Sequence, residues 1–208
     1  MRRTASLTLW MTLTACLALG CDQIGDFVDD NKSSLDIPIN TDYEFLVPID
    51  VGASMGPTAG QTSPADVSQT VAPPPTTVDL VEEVGALKDA KGRVKSFKIS
   101  SVTVTPQTNT LTTNLPEISL VIGPQGASAI DQGQRVATIP SVAAGSTAAV
   151  SGIIDSAGQD AAQQWLTQLV FSQGTSMTLV VKKGQKVPSG RVDLKVKLAL
   201  RVVLNPLK

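Results

Sequence analysis

Two segments alternate apolar and polar residues over a length that few other structures permit. RVDLKVKLALRVVL, residues 191–204, has an apolar residue at every even position. LDIPINTDYEFLVPIDV, residues 35–51, has one at every odd position except Thr41. A period of two places successive side chains on opposite faces of a strand. The two segments therefore predict long strands, each with one face on a core.

Other segments carry weaker signals of the same kind. The list of expected elements is strands at 94–106, 115–123, 134–140 and 175–183, and helices at 81–92 and 156–174. The later helix is expected to begin at a Ser156 cap, to end at Gly174 and to turn Ala162, Trp165, Leu166 and Leu169 inward, with Trp165 as a core anchor. The pattern predicts a mainly β fold, either an antiparallel β-sandwich or a partly open barrel, with one or two short helices. Aromatic residues make up only 3% of the chain, so the core must be aliphatic.

Finer features predict where the strands lie. Pro38 and Pro48 cannot donate to a ladder, which predicts an edge position or a bend for the first strand. The apolar phase of 94–106 shifts between Ile99 and Val102, which predicts a bulge or burial on both faces. We expect 175–183 and 191–204 to form a hairpin.

The segment 52–79 is dominated by Gly, Pro, Ser and Thr, with prolines at 73–75. We expect it to be a flexible loop or spacer.

Charge is unevenly distributed along the chain, although the net charge is only −1. Ten acids and one base lie between Asp22 and Asp79, and eight bases and one acid lie between Lys182 and Lys208. If the first and last strands pair laterally, Asp42 and Glu44 meet Lys195 and Lys197, and such ion pairs help set register. The rival prediction is that the lysines face an acidic partner or anionic lipid.

Composition also limits the chemistry. There is no histidine, and the two cysteines, Cys16 and Cys21, lie at the N-terminus. This excludes a Ser–His–Asp triad and a histidine metal site, and it leaves the folded domain without a disulfide. Glu82 and Glu83 are neighbours in sequence, but no spacing places two acids in one cleft. We expect no catalytic residue, cofactor or metal, and no nucleic-acid partner.

The N-terminus has the three parts of an export signal. Arg2 and Arg3 are followed by an apolar run from Ala5 to Leu19, which is short for a membrane span, and small residues close it. An acidic stretch, DQIGDFVDDN, comes next.

The segments ALGC, ending at Cys21, and LTAC, ending at Cys16, resemble the lipobox of bacterial lipoproteins. The resemblance implies a cysteine that is diacylated and becomes the mature N-terminus. LTAC matches the consensus letters better, but cleavage there leaves apolar residues at the mature end, so we favour Cys21. Asp22 would then follow the lipidated residue, a position that favours inner-membrane retention in enteric bacteria but not in all lineages, so the choice of membrane stays open.

The expected organisation is therefore a signal peptide at 1–20, a lipidated acidic tether at 21–34 and a single β-rich domain at 35–208. The favoured function is a membrane-anchored protein of the bacterial cell envelope with a non-catalytic interaction or structural module and an unidentified envelope partner. A periplasm-facing carrier of an apolar ligand is the alternative, with Trp165 and the strands lining a cavity. A carboxylate-based hydrolase is the third hypothesis.

Overall fold

The computed structural model describes residues 36–205. Its elements, in chain order, are β1 Ile37–Asp50, α1 Val51–Met55, β2 Val67–Val71, β3 Thr76–Asp79, α2 Leu80–Glu83, β4 Val94–Asn109, β5 Ile118–Gly123, β6 Gln134–Ile139, β7 Val150–Ser151, β8 Ile153–Ile154, α3 Ser156–Leu166, β9 Val170–Val181 and β10 Arg191–Leu204. Short 3₁₀ turns lie at Gly56–Thr58, Gly85–Leu87 and Ile130–Gln132.

The strands form two antiparallel sheets. One has the order β1-β10-β4-β7, and the other has the order β2-β9-β5-β6-β8, with β3 also paired to β9. Their inner faces share one core of mostly aliphatic residues, in which Phe97 and Phe171 are the largest fully buried side chains. The prediction of a mainly β, antiparallel sandwich is confirmed, and so is the aliphatic core.

The alternation in β10 is confirmed along its full length. Every even residue from Val192 to Leu204 is buried, and the odd residues are partly or fully exposed. β10 lies between β1 and β4, so it has a partner on each side. β1 lies at the edge of the sheet, as Pro38 and Pro48 predict.

β4 contains the bulge that its phase shift predicts. Ala199 pairs with Ser101 and Leu200 pairs with Ile99, so Ser100 is the extra residue. The Ser100 hydroxyl donates to the Ala199 carbonyl at 3.0 Å, which gives the displaced residue a partner on β10. Because of the bulge, both Ile99 and Val102 reach the core.

The prediction of a flexible loop at 52–79 is wrong for much of that segment. It contains most of α1 and the strands β2 and β3, which pair with successive parts of β9. β2 and β3 act as one edge strand interrupted by residues 72–75, which include three prolines. An edge strand tolerates this polar, proline-broken composition because only one side of it needs ladder partners.

The predicted hairpin between the last two strands is also wrong, because β9 and β10 belong to different sheets. The connecting segment pairs with the chain after α1 instead. Val187 is buried, its N–H donates to the Gln61 carbonyl at 2.8 Å, and its carbonyl accepts from the Gly60 N–H at 3.0 Å. These contacts carry the chain from one sheet to the other.

Both predicted helices are shorter than expected. α3 ends at Leu166, and Leu169 has a φ of 61°, which lies in the left-handed region and turns the chain into β9. The residues from Val170 to Gly174 belong to β9, whose pairing with β3 and β5 overrides the helical pattern. The predicted 81–92 helix is reduced to α2 and the turn Gly85–Leu87.

Candidate interaction site

The sandwich has two lateral flanks that differ in how their strand edges are covered. We call the β1 side, together with β2 and β3, the open flank. The opposite side, where α3 packs beside the first half of β4, is the closed flank. A strand edge carries unpaired N–H and C=O groups and is a template for another strand, so the two flanks have different capacities for binding.

Backbone hydrogen bonds on β10 show which residues of β1 face outward from the sheet. The Gly190 carbonyl accepts from Val51 N–H at 3.1 Å, on the β1 side. The Arg191 carbonyl accepts from Thr110 N–H at 2.8 Å, on the β4 side. Successive residues of a strand alternate in this way. The even residues of β10 therefore bond to the odd residues of β1, with which they pair.

The even residues of β1 consequently direct their backbone N–H and C=O groups to the free edge. Pro38 and Pro48 both occupy even positions, where the backbone N–H of any other residue would face the free edge. Proline has no N–H, so neither position offers a donor there. Between them, the donors on the free edge are the N–H groups of four residues, Asn40, Asp42, Glu44 and Leu46. Within residues 36–205 no strand pairs with this edge.

A hollow of about 200 Å³ lies beside this edge, between β1 and the proline break of β2 and β3. Phe45, Val47 and Pro48 line one side, and Pro73 and Pro74 line the other. Phe45 is only partly buried, and its ring lies 5.3 Å from that of Tyr43. The hollow is therefore an apolar recess between the edges of the two sheets.

A buried hydrogen bond fixes the floor of this region. The Gln173 amide on β9 donates to the Tyr43 hydroxyl on β1 at 3.3 Å, which links the two sheets. Burial raises the pKa of Tyr43 above its usual range; the hydrogen bond from Gln173 opposes this rise, and the charge of Glu83 adds to it.

The outer face of the open flank carries ion pairs between β1 and β10. Lys195 Nζ lies 2.7 Å from Glu44 Oε2, and Lys197 Nζ lies 2.7 Å from Asp42 Oδ2. The hydrogen bond and charge of Asp42 raise the pKa of Lys197. The prediction that these charges meet by lateral pairing is confirmed. The acids are on the outermost strand and the lysines lie one strand inside it.

The closed flank uses two glutamines of α3 in place of a neighbouring strand. The Gln159 side chain accepts from Ile99 N–H at 2.7 Å and donates to the Ile99 carbonyl at 3.2 Å. Gln163 accepts from Phe97 N–H at 3.2 Å and also donates to the Phe97 carbonyl. Two amides at i and i+4 thus reproduce the ladder that a strand would supply along this part of β4.

The start of α3 is held just as closely. Asp155, not Ser156, is the N-cap, and its carboxylate accepts from Gly158 N–H at 3.0 Å. That bond, followed by the hydrogen bond from Arg135, lowers the pKa of Asp155. A Cβ at Gly158 would lie 1.7 Å from the Arg135 carbonyl oxygen, so the helix approaches β6 more closely than any side chain permits.

The sequence-predicted candidates fall mostly outside this region. Cys21 and Cys16 lie outside the described residues. Trp165 is partly buried against the core and does not line the hollow at β1. A second hollow, which Lys95, Lys98 and Gln163 line beside α3, does not include it either. Glu82 and Glu83 are exposed at the end of α2. The open edge was anticipated from its prolines, whereas the glutamine ladder was missed.

Within residues 36–205 no three His, Cys, Asp or Glu side chains come close enough together to hold a metal ion. Among the helices of the same part of the chain, none combines the length and apolar character needed to cross a membrane.

Comparisons with known proteins add little to this geometry. No protein-family model matches the chain, and no curated protein matches it. Among solved structures it is similar to a chain of Desmodium yellow mottle tymovirus (14% identity, 83% of this chain and 91% of that one, TM-score 0.27). It is also similar to a chain of tobacco necrosis virus (13% identity, 82% and 99%, TM-score 0.27).

Proposed function

We propose that the protein is a lipid-anchored component of the bacterial cell envelope whose β-sandwich is a non-catalytic interaction module. The observation that carries the interaction role is the free edge of β1, which directs four backbone N–H groups away from the sheet between two prolines. An exposed edge of this kind is the surface that strand-adding partners recognise. The anchoring role rests on the sequence around Cys21.

The proposed anchor follows from the physical chemistry of acyl chains. Each buried methylene contributes about 0.8 kcal/mol, and two or more chains turn marginal membrane binding into stable attachment. A diacylated Cys21 would hold the sandwich at a membrane surface through residues 22–36. Fully extended, 15 residues reach at most about 50 Å, so the start of β1 at Ile37 would lie within about that distance of the anchoring membrane.

The two alternative functions have less support. The apolar hollow at β1 has about 200 Å³, whereas ligand sites usually have about 300–1,000 Å³. A larger hollow of about 700 Å³ beside α3 is lined by Lys95, Lys98 and the glutamines of the helix, which suits neither an apolar ligand nor a carboxylate pair. A hollow of about 620 Å³ beside Leu115 and Val180 has the size of a ligand site, but its lining mixes apolar side chains with Asn114, Gln185 and Lys186. Several carboxylates of the described part are engaged by cations, as in Asp66 with Lys182 and Asp155 with Arg135.

Mass spectrometry of the N-terminal peptide from isolated membranes tests the anchor. We expect a diacylated peptide that begins at Cys21, and we expect Cys21→Ser, but not Cys16→Ser, to abolish lipidation. A diacylated peptide that begins at Cys16 would move the anchor. An unmodified N-terminus would refute the lipoprotein proposal.

Photo-crosslinking in the intact envelope tests the interaction role. A photoreactive residue is placed in turn at Leu46, Ile153 and Val180, which are 66%, 65% and 60% exposed. We expect a discrete cross-linked protein product from at least one position at native expression. Products from none of the three would contradict an interaction module.

A further inference from the structure

We infer that the free edge of β1 accepts an added strand from an extended partner segment whose residues alternate between basic and apolar. This inference deepens the interaction role proposed above and does not depend on lipidation. It rests on three properties of the open flank: the direction of its backbone groups, the apolar recess beside it, and the sign of its outer charges.

The backbone sets the length of the added strand. Residues 39–47 lie between the two prolines, and at about 3.3 Å per residue they offer an edge of about 30 Å. The proline at each end removes the donor there, so pairing ends at both limits. A partner strand of seven to nine residues therefore suits the edge, because a longer one would meet two positions that cannot donate.

The faces of β1 set the chemistry of the added strand. Its residues opposite Asp42 and Glu44 would have side chains on the outer face. The two carboxylates are paired with lysines of β10 but lie nearer the edge than those lysines, so basic residues are favoured over acidic ones there. Its residues opposite Tyr43, Phe45 and Val47 would turn inward, towards the apolar recess in front of the prolines. Alternation of basic and apolar residues satisfies both faces.

The same charges disfavour a second copy of this chain as the occupant. If two β1 strands paired antiparallel along this edge, Asp42 and Glu44 of one copy would lie close to the same acids of the other. Like charges across a strand pair are destabilising. Lys195 and Lys197 reduce this repulsion but lie one strand further in. The acids thus select against self-pairing while they favour a basic strand.

Nuclear magnetic resonance on the full chain, purified in detergent, tests the inference with a defined probe. The probe is an acetylated and amidated seven-residue peptide of alternating lysine and valine, and the control peptide alternates glutamate and valine. We expect the probe to slow amide exchange at Asn40, Asp42, Glu44 and Leu46. The N–H groups of Tyr43, Phe45 and Val47 should be protected with or without it.

We expect the lysine peptide to bind at least about 10-fold more tightly than the glutamate peptide at low salt, and the ratio to fall as salt increases. Protection confined to other strands, or equal binding of the two peptides, would overturn the inference. Protection of the four even amides in the absence of any peptide, together with a dimer in sedimentation, would assign the edge to a second copy and would also overturn it.

A matched pair of variants separates backbone recognition from charge. Glu44→Gln and Glu44→Pro both remove the carboxylate, but only the proline removes the outward N–H. We expect Glu44→Pro to bind the lysine peptide about 5-fold or more weakly than Glu44→Gln, since one ladder hydrogen bond is lost. Equal affinities would contradict strand addition. If Glu44→Pro does not fold, the exchange pattern of the unmodified chain decides the question alone.

Cross-links from Ile153 or Val180 with no peptide binding at β1 would refute this inference and leave the proposed function standing.

Discussion

The closed and open flanks differ in how they limit pairing at an exposed strand edge, whose backbone N–H and C=O groups can bind another strand. On the closed flank, Gln159 and Gln163 satisfy the N–H and C=O groups of Ile99 and Phe97, so this part of β4 offers no free backbone group to another strand. On the open flank, β1 is limited only by Pro38 and Pro48, with charge between them. The difference suggests that one edge is closed for stability while the other is shortened to a defined length.

The largest expected effect is on the closed flank, at Gly158. Gly158→Ala places a Cβ against the Arg135 carbonyl, which forces α3 away from β6. Overpacking of this kind typically costs about 1–3 kcal/mol, and we expect a loss near the upper end because the obstacle is backbone. Urea unfolding measures it. Gly85→Ala is the control, since nothing lies within 4 Å of its added Cβ, and it should change stability little. Similar losses from both variants would show that the close approach of α3 does not matter.

An intermediate effect is expected from Gln159→Leu. The substitution leaves the N–H and carbonyl of Ile99 without partners in a buried position, at a cost of about 2 kcal/mol. Gln164→Leu, on the exposed face of the same helix, is the matched control and should be nearly neutral. We also expect Gln159→Leu to self-associate at high concentration in sedimentation velocity, because it reopens the β4 edge. If it stays monomeric and as stable as the control, the glutamine ladder is not what closes this flank.

The smallest expected effect is on the open flank, at Lys197. Lys197→Gln removes the ion pair with Asp42, and an exposed pair of this kind should shift the Tm by no more than about 2 °C. The pKa of Lys197 is raised in the folded state. Its contribution is therefore fully present below the ordinary lysine pKa of about 10.4 and is lost as the pH rises through the folded value.

Thermal unfolding of both forms, at pH 7 and over a series of rising alkaline pH values, checks this pH dependence. The difference between Lys197→Gln and the unmodified chain should shrink as the pH rises through the folded pKa of Lys197. Lys183→Gln, at an exposed lysine, should show little difference at any of these pH values. A difference that grows with pH would contradict the assigned role of the pair.

The two flanks also differ in how far they can be anticipated from the sequence. The open edge was predicted because its signals are local: two prolines in an alternating segment, and acids next to apolar residues. The bulge at Ser100 was predicted for the same reason, from a phase shift within one strand. The glutamine ladder joins α3 to a strand 60 or more residues earlier, and glutamine on a helix is ordinarily a surface residue, so no local pattern identifies it.

The errors in the predicted elements have a similar origin. β2 and β3 are too polar to be recognised alone, and their strand conformation comes from the pairing with β9. The predicted 156–174 helix was too long because the chain turns at Leu169. This residue has a left-handed φ, which a leucine gives no reason to expect. The prediction of a hairpin between the last two strands was wrong because the connection pairs at Val187 with Gly60 and Gln61. In each case a distant contact overrode a local preference.

The position of β10 has a consequence for the order of events during synthesis. The last strand of the chain is an inner strand of its sheet: it pairs Leu204 with Ile37 at the far end of β1 and also supplies the partner of β4. Long-range pairing of this kind is slow to form, and at about 5–20 residues per second a ribosome needs tens of seconds or less to make the chain. β1 and β4 cannot join one sheet until the 14 residues of β10 exist. In a chain exported as proposed above, β1 and β4 would therefore stay apart until β10 has been made, although the other sheet needs no residue of β10.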